Sequence, residues 1–142
     1  MKTKQLPIIP EEIHLQKIEV VQQKIDVKIF KSIKQHQLNV GHKILHNLED
    51  ERIKMELVFS FNTEGHKESL LFFQIDFQYH VEHLSNFYQL NEEKHPVFWI
   101  QLVATLLGIS LSTSRGIIFE KLQNAGLENI IIPVVSPQKM LS

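Results

Sequence analysis

The chain has 142 residues, 43% of them hydrophobic, with 15 basic against 16 acidic side chains, and a chain of this length fits one domain that buries about 70% of its unfolded surface. The absence of cysteine excludes disulfides, thiolate zinc sites and a cysteine nucleophile. A formal net charge of −1 argues against a general nucleic-acid binder, which normally carries a clear basic excess.

The N-terminal part of the sequence predicts a flexible start followed by an irregular strand. Residues 1–10 lack the apolar run of a secretion signal, so we expect them to be flexible and the protein to be cytoplasmic. From residue 13 to residue 29 the apolar positions alternate, but their phase changes twice. A strand changes phase only at a bulge or a break, which predicts one long irregular strand or two short ones. The apolar positions are Ile13 and Leu15, then Ile18 and Val20, then Ile25, Val27 and Ile29.

Two later segments alternate strictly between apolar and polar residues. The odd positions are apolar from residue 53 to residue 61 and again from residue 71 to residue 81, which is typical of antiparallel strands with one buried face. The connection between them contains Gly65, which is free to adopt a positive φ, so the two segments predict a hairpin. A weaker alternation between residues 40 and 48 predicts one more strand before this hairpin, giving about four strands in a meander.

After Asn91 the pattern changes to that of a long apolar helix. Between residues 97 and 111, eleven of the 15 residues are apolar and cover most of the circumference. The run is shorter than the roughly 20 residues of a membrane helix, so we expect no membrane insertion. A single sheet covers only one side of a helix, so we expect the other side to lie against a partner subunit. The alternative is that the C-terminal segment of the same chain covers it. The small and polar residues that share one face, and so form the expected subunit interface, are Gln101, Ala104, Thr105, Gly108 and Ser112.

The end of the sequence predicts a short final helix after an extended segment. The long helix is expected to weaken near residues 113–116 and to end at Gly126. Residues 129–133 predict an extended buried segment, and Ser136 with Pro137 suits the N-cap and first position of a last helix. The sequence therefore predicts a single domain over residues 1–142 of the α+β class, in which a four-stranded antiparallel meander sheet is followed by a long apolar helix and a short C-terminal helix.

Neither a metal site nor a catalytic site is indicated by the polar residues. His80 and His83 point to opposite faces if they lie in one strand. His42 and His46 would lie about 13 Å apart in a strand. The sequence contains no Gly-x-Ser-x-Gly elbow and no phosphate-binding Gly-rich loop. We therefore expect no catalytic residue, no metal and no cofactor. A small-molecule site or enzyme, such as a hot-dog-like thioesterase, is the less favoured alternative, because in that fold the long helix normally precedes most strands.

The order of these elements resembles that of the SecB family, which contains the bacterial export chaperone SecB and divergent SecB-like relatives. The resemblance covers about residues 11–141 and implies a homotetramer, built as a dimer of dimers, with the long helices packed between the dimers. It also implies ATP-independent holding of unfolded polypeptides in apolar grooves, without a catalytic residue. The stretches that carry the resemblance are Ile13–Ile18, Arg52–Thr63 followed by Gly65, Leu70–Val81, Ser114–Gly116 and Ile132–Val134. The residues that the resemblance assigns to client binding are Ile44, Leu48, Phe98, Trp99, Met140 and Leu141.

Two departures from the family pattern bear on the partner. The sequence ends at Ser142, directly after the last predicted helix, whereas the export chaperones carry an extended tail that meets the SecA motor. Export members are also distinctly acidic, whereas this chain is nearly neutral. Both departures argue against docking to SecA, and a chaperone dedicated to one client, such as an antitoxin, fits the chain at least as well as an export chaperone. The alternative is a non-chaperone adaptor of the same fold that binds a folded protein partner.

Overall fold

The structure combines an antiparallel sheet with one long helix, and the predicted fold class is confirmed. It is a computed structural model and describes residues 6–32, 36–63, 65, 67–128 and 130–141. Residues 1–5 of the predicted flexible start lie outside the described residues, as do Glu64 and Asn129. The elements in chain order are β1 (Ile13–Ile25), α1 (Val27–Ser32), β2 (Gln37–Asn47), β3 (Arg52–Asn62), β4 (Leu71–Val81), β5 (Tyr88–Leu90), β6 (Pro96–Phe98), α2 (Ile100–Asn124) and α3 (Pro137–Leu141).

The strand order in the large sheet is β1-β4-β3-β2, so only the last three strands form a meander. The prediction that the first strand continues this meander is wrong, because β1 pairs with β4 and not with β2. The chain leaves β1 where the N–H of Asp26 donates to the carbonyl of Leu70, 2.9 Å away. It then crosses one end of the sheet to reach β2 on the opposite edge. His36 stabilises this crossing, since its Nε2 lies 3.1 Å from the carbonyl of Phe30 and its Nδ1 lies 2.8 Å from Oγ1 of Thr63.

The predicted irregularity of the first strand is confirmed as two register shifts in one continuous strand. The shifts lie between Leu15 and Lys17 and between Val20 and Gln22. Each shift brings the alternation of apolar residues in β1 back into step with that of β4. The apolar residues of β1 therefore stay on the face that carries the core residues of β4. Val27 and Ile29 were expected to continue the strand, but they belong to α1.

The start of α1 explains that difference. Oδ1 of Asp26 accepts a hydrogen bond from the N–H of Ile29 at 3.3 Å. Asp26 thereby acts as an N-cap at the point where the strand ends. The helix holds only six residues, too few to produce a helical pattern that stands out from the alternation before it.

The core lies between α2 and the β3–β4 hairpin that the alternation predicts. The apolar side chains of both strands point towards α2, and Gly65 in their connection has a φ of 88°, as expected. A buried polar contact joins the two layers: the hydroxyl of Tyr79 lies 2.7 Å from Oγ of Ser110, which donates to the carbonyl of Leu106 at 2.8 Å. The core side chains without measurable exposure include Met55, Leu57, Phe59, Leu71, Phe73, Ile75, Phe77, Leu102, Leu106 and Leu107.

The long helix begins later than the apolar run suggested and continues without a break to its predicted end. β6 takes Pro96–Phe98, so α2 begins at Ile100 and continues for 25 residues. The predicted weakening near residues 113–116 is wrong, because Leu111 and Ile118 are buried and keep this stretch packed on the core. Gly126 ends the helix as predicted, with a φ of 90°. The backbone N–H of Leu127 donates to the carbonyl of Leu122 at 2.9 Å.

By length and composition alone, α2 would suffice to cross a membrane. The apolar run of 15 residues predicted a shorter helix than the 25 residues of α2. Core helices of soluble proteins meet the same criterion, and one side of α2 is packed on β3 and β4. The absence of membrane insertion stays a prediction.

Candidate polypeptide-binding surface

Large apolar side chains are exposed at several places on the surface instead of packing in the core. They lie in the segment before β1, along β1, in α1 and β2, on the small β5–β6 hairpin, on the outer side of α2 and before α3. Exposed apolar area of this kind, surrounded by polar residues, is typical of surfaces that bind other polypeptides. The exposed residues are Leu6, Ile9, Leu15, Ile18, Val21, Ile29, Leu45, Leu90, Val97, Ile100, Ile109, Phe119, Ile131 and Val134.

The predicted residues of the second strand and of the β5–β6 hairpin meet around His46. Ile44 and His46 lie on the core face of β2, opposite Met55 and Ile53. The ring of Phe98 stands edge-on to the ring of His46, with centroids 5.8 Å apart, and Leu48 follows in the turn after β2. The three predicted apolar residues are half-buried and pack against the core. We name Ile44, His46, Leu48 and Phe98 the β2–β6 patch.

Trp99 faces a different neighbour from Phe98. Its ring is edge-on to the ring of Phe87 at 6.0 Å, and its backbone N–H donates to the backbone carbonyl of Phe87 at 2.8 Å. Its own carbonyl accepts from the N–H of Leu102 at 3.1 Å at the start of α2. Trp99 is thus a half-buried corner residue beside the β2–β6 patch.

The remaining two predicted client-binding residues lie in α3. Met140 and Leu141 are half-buried and pack against the core, and α3 itself packs on α2. The structure therefore places the predicted client-binding residues in two regions, one at β2 and β6 and one at α3.

The predicted subunit-interface residues of α2 divide between two surroundings. A Cβ at Gly108 would lie 3.5 Å from Cγ of Pro137, so α3 of the same chain covers this position, as the alternative had it. Ala104 is half-buried. Gln101 and Ser112 are exposed, and the hydroxyl of Thr105 donates to the carbonyl of Gln101 at 2.7 Å. At about 100° per residue, these last three positions fall on one stripe of the helix, which also contains the exposed ring of Phe119.

A cleft that the sequence did not indicate lies between β1 and α2. Its volume is about 240 Å³, and its lining is formed by Pro10, Ile13, Leu15, Tyr79, Thr105 and Ile109. A helix about 10 Å across covers about two strands that lie 4.8 Å apart, and α2 lies over β3 and β4. The apolar side of β1 is therefore left open, with Leu15 and Ile18 39% and 41% exposed.

The face of the sheet that points away from α2 carries charged residues of both signs. Nζ of Lys54 lies 3.3 Å from a carboxylate oxygen of Asp76 and 3.4 Å from one of Glu56. The hydrogen bond with Asp76 raises the pKa of Lys54 above its usual value. At the end of the sheet, Nε2 of His14 lies 2.8 Å from a carboxylate oxygen of Glu82, and this hydrogen bond lowers the pKa of Glu82. Among the described residues, no three His, Asp or Glu side chains are arranged to hold a metal ion.

Comparison with known proteins supports the fold. No protein-family model matches the sequence, and no curated protein matches it. Among solved structures, the fold is similar to that of the Mycobacterium tuberculosis Rv1957 SecB-like chaperone in complex with a ChAD peptide from the Rv1956 HigA1 antitoxin. The TM-score is 0.54 over 89% of this chain and 92% of that chain, with 7% sequence identity. At this identity the comparison establishes that the chain has a SecB-like fold.

Proposed function

We propose that the protein is an ATP-independent chaperone that holds unfolded or partly folded polypeptides on its apolar surface. The observation that carries the proposal is the shared fold, over nearly the whole of both chains, with a chaperone bound to an antitoxin peptide. The many exposed apolar side chains support it, because an unfolded client offers apolar segments that such a surface can cover. No catalytic residue and no cofactor take part.

We propose that clients bind at the β2–β6 patch, at neighbouring Trp99, and at Met140 and Leu141 of α3. These side chains are half-buried, so each is fixed by the core on one side and offers apolar area on the other. Contact through apolar area tolerates many client sequences, and flexible side chains such as Met adapt to different partners. A dedicated client, such as an antitoxin in the cytoplasm, is the proposed biological case.

We further propose that the chain assembles into a homotetramer, as a dimer of dimers. In a single chain, β1 is a 13-residue edge strand with an open cleft beside it. Long unprotected edges with exposed apolar residues favour pairing with another chain. The outer stripe of α2, with Gln101, Thr105 and Ser112, offers a second contact surface. Light scattering after size exclusion tests this: we expect the mass of four 16.6-kDa chains, and a monodisperse monomer would contradict it.

Suppression of aggregation tests the chaperone activity. An aggregation-prone protein is unfolded in guanidinium and diluted into buffer without nucleotide, with and without the chaperone, and light scattering is recorded. We expect the chaperone to keep the client soluble at one assembly per client. Phe98→Ala is expected to weaken the effect, and Gln89→Ala serves as the control because Gln89 is an exposed polar residue on β5 and lies outside the patch. No suppression at this ratio would refute the proposed function.

A further inference from the structure

The segment before α3 carries the two most exposed large apolar side chains of the described chain. Val134 is 80% exposed and Ile131 is 66% exposed, while Ile132 between them is 2% exposed. Residues 130–136 contain no helix, strand, turn or bend. The ring of Pro133 also restricts the residue before it to an extended conformation. The segment is thus an irregular stretch without a turn or bend, which is anchored by one buried side chain and exposes two apolar side chains.

The backbone of this segment is largely free of hydrogen bonds. The carbonyl of Ile132 accepts from Nε of Arg115 on α2 at 2.8 Å. Apart from this bond, the backbone groups of residues 130–135 bond to no group in the part of the chain that the structure describes. Pro133 has no N–H, so the neighbouring residues supply the donors. Free backbone donors and acceptors beside exposed apolar side chains are what an added strand uses in β-augmentation.

Arg115 contributes a positive charge that the described residues leave without a carboxylate partner. Its side chain is half-buried on α2 and is held by the bond to Ile132. Within the described chain, no Asp or Glu oxygen lies within ion-pairing distance of its guanidinium. After Nε is used, the guanidinium retains four N–H donors in a planar arrangement that suits a carboxylate.

We propose that residues 130–135 form a docking strand for an extended apolar client segment that pairs with their backbone and places an acidic side chain on Arg115. This inference rests on the proposed chaperone function and names the chemistry of the client segment. Ile131 and Val134 contact its apolar side chains, and the free backbone groups pair with its backbone. Charge complementarity with Arg115 selects a segment that has a carboxylate in addition to its apolar residues.

The test uses capped, fluorescent peptides of alternating Val and Thr with one central Glu, and fluorescence anisotropy on the full chain. A second peptide has Gln in place of Glu, and a third is N-methylated along one backbone edge. Against the Glu peptide, Arg115→Gln is expected to raise Kd about tenfold, whereas Arg115→Lys retains part of the affinity. Against the Gln peptide, Arg115→Gln is expected to change little. N-methylation is expected to weaken binding about fivefold for each backbone bond that it removes.

Substitutions on the segment complete the test. Ile131→Ser with Val134→Ser is expected to abolish peptide binding, whereas Gln89→Ser, at an exposed polar residue on β5, is expected to leave it unchanged. If Arg115→Gln weakens binding of the Glu peptide and of the Gln peptide equally, the inference is overturned. Full affinity of the wild type for the N-methylated peptide would also overturn it. If the segment variants bind all peptides like the wild type while still suppressing client aggregation, the docking strand is wrong and the chaperone function stands. If the wild type neither binds the peptides nor suppresses aggregation, both are wrong.

Discussion

Replacing Tyr79 by Phe removes a buried hydroxyl that joins the sheet to α2. This hydroxyl lies 2.7 Å from Oγ of Ser110 and 3.4 Å from the carbonyl of Leu106. Ser110 already donates to that carbonyl at 2.8 Å, so Tyr79 is the donor to Ser110. The Phe variant loses one buried hydrogen bond and leaves no donor unpaired. We therefore expect a loss of about 1 kcal/mol in the free energy of unfolding near neutral pH.

The same hydroxyl predicts a dependence of stability on alkaline pH. Burial raises the pKa of Tyr79 from its usual 10.0 to about 12. The folded chain then holds this proton more tightly than the unfolded chain. The stabilising effect is complete below pH 10, and it is lost as the pH rises towards 12. Two pKa units correspond to about 2.7 kcal/mol, which is the largest loss that this group can cause.

Urea unfolding of the wild type, Tyr79→Phe and Tyr88→Phe across this pH range separates the buried group from the general effect of alkali. The chain has two tyrosines, and Tyr88 in β5 is half-buried and provides the matched control. The wild type and Tyr88→Phe are expected to lose stability more steeply above pH 10 than Tyr79→Phe does. Parallel pH curves for the three proteins would refute the assignment of this loss to Tyr79.

Four further variants follow from the packing of α2 and β1. Ser114→Ala removes a buried hydroxyl with no hydrogen-bond partner in the described structure and should raise the free energy of unfolding by about 1 kcal/mol. A lower free energy of unfolding, measured with urea, would contradict this. Gly108→Ala should be tolerated or mildly stabilising, because the new methyl group meets Pro137 at ordinary contact distance, whereas Gly108→Leu should displace α3 and make it sensitive to limited proteolysis. Leu15→Lys with Ile18→Lys should shift the assembly towards the 16.6-kDa monomer in light scattering without loss of β-structure by circular dichroism; an unchanged assembly mass would exclude β1 from the subunit interface.

The local parts of the fold could be predicted from the sequence, because each has a periodic signal. The β3–β4 hairpin follows from strict alternation, and the two bulges of β1 follow from the phase changes around Leu15 and Val20. The position of β1 beside β4 could not be predicted, because strand order depends on contacts between distant residues. α1 was missed because a six-residue helix capped by Asp26 is too short to interrupt the alternation visibly.

The candidate surface was predictable only in part. Phe98 and Ile44 were predicted because they are apolar and the family resemblance assigns them to client binding; the structure places both beside His46, and their role in binding stays a prediction. The contact of Gly108 with α3 and the open side of β1 depend on how wide α2 is and where it lies on the sheet. The exposure of Val134 likewise follows from the anchoring of its neighbour Ile132, which the sequence pattern alone does not reveal.

The folding state of the bound client tests the central claim most directly. Kd is measured by anisotropy for one labelled protein in two forms, its native form and a form kept permanently unfolded, in buffer without nucleotide. A holding chaperone is expected to bind the unfolded form and to leave the native form unbound, with weaker binding by Phe98→Ala than by the Gln89→Ala control. Equal binding of both forms, or no binding of the unfolded form, would contradict the chaperone function.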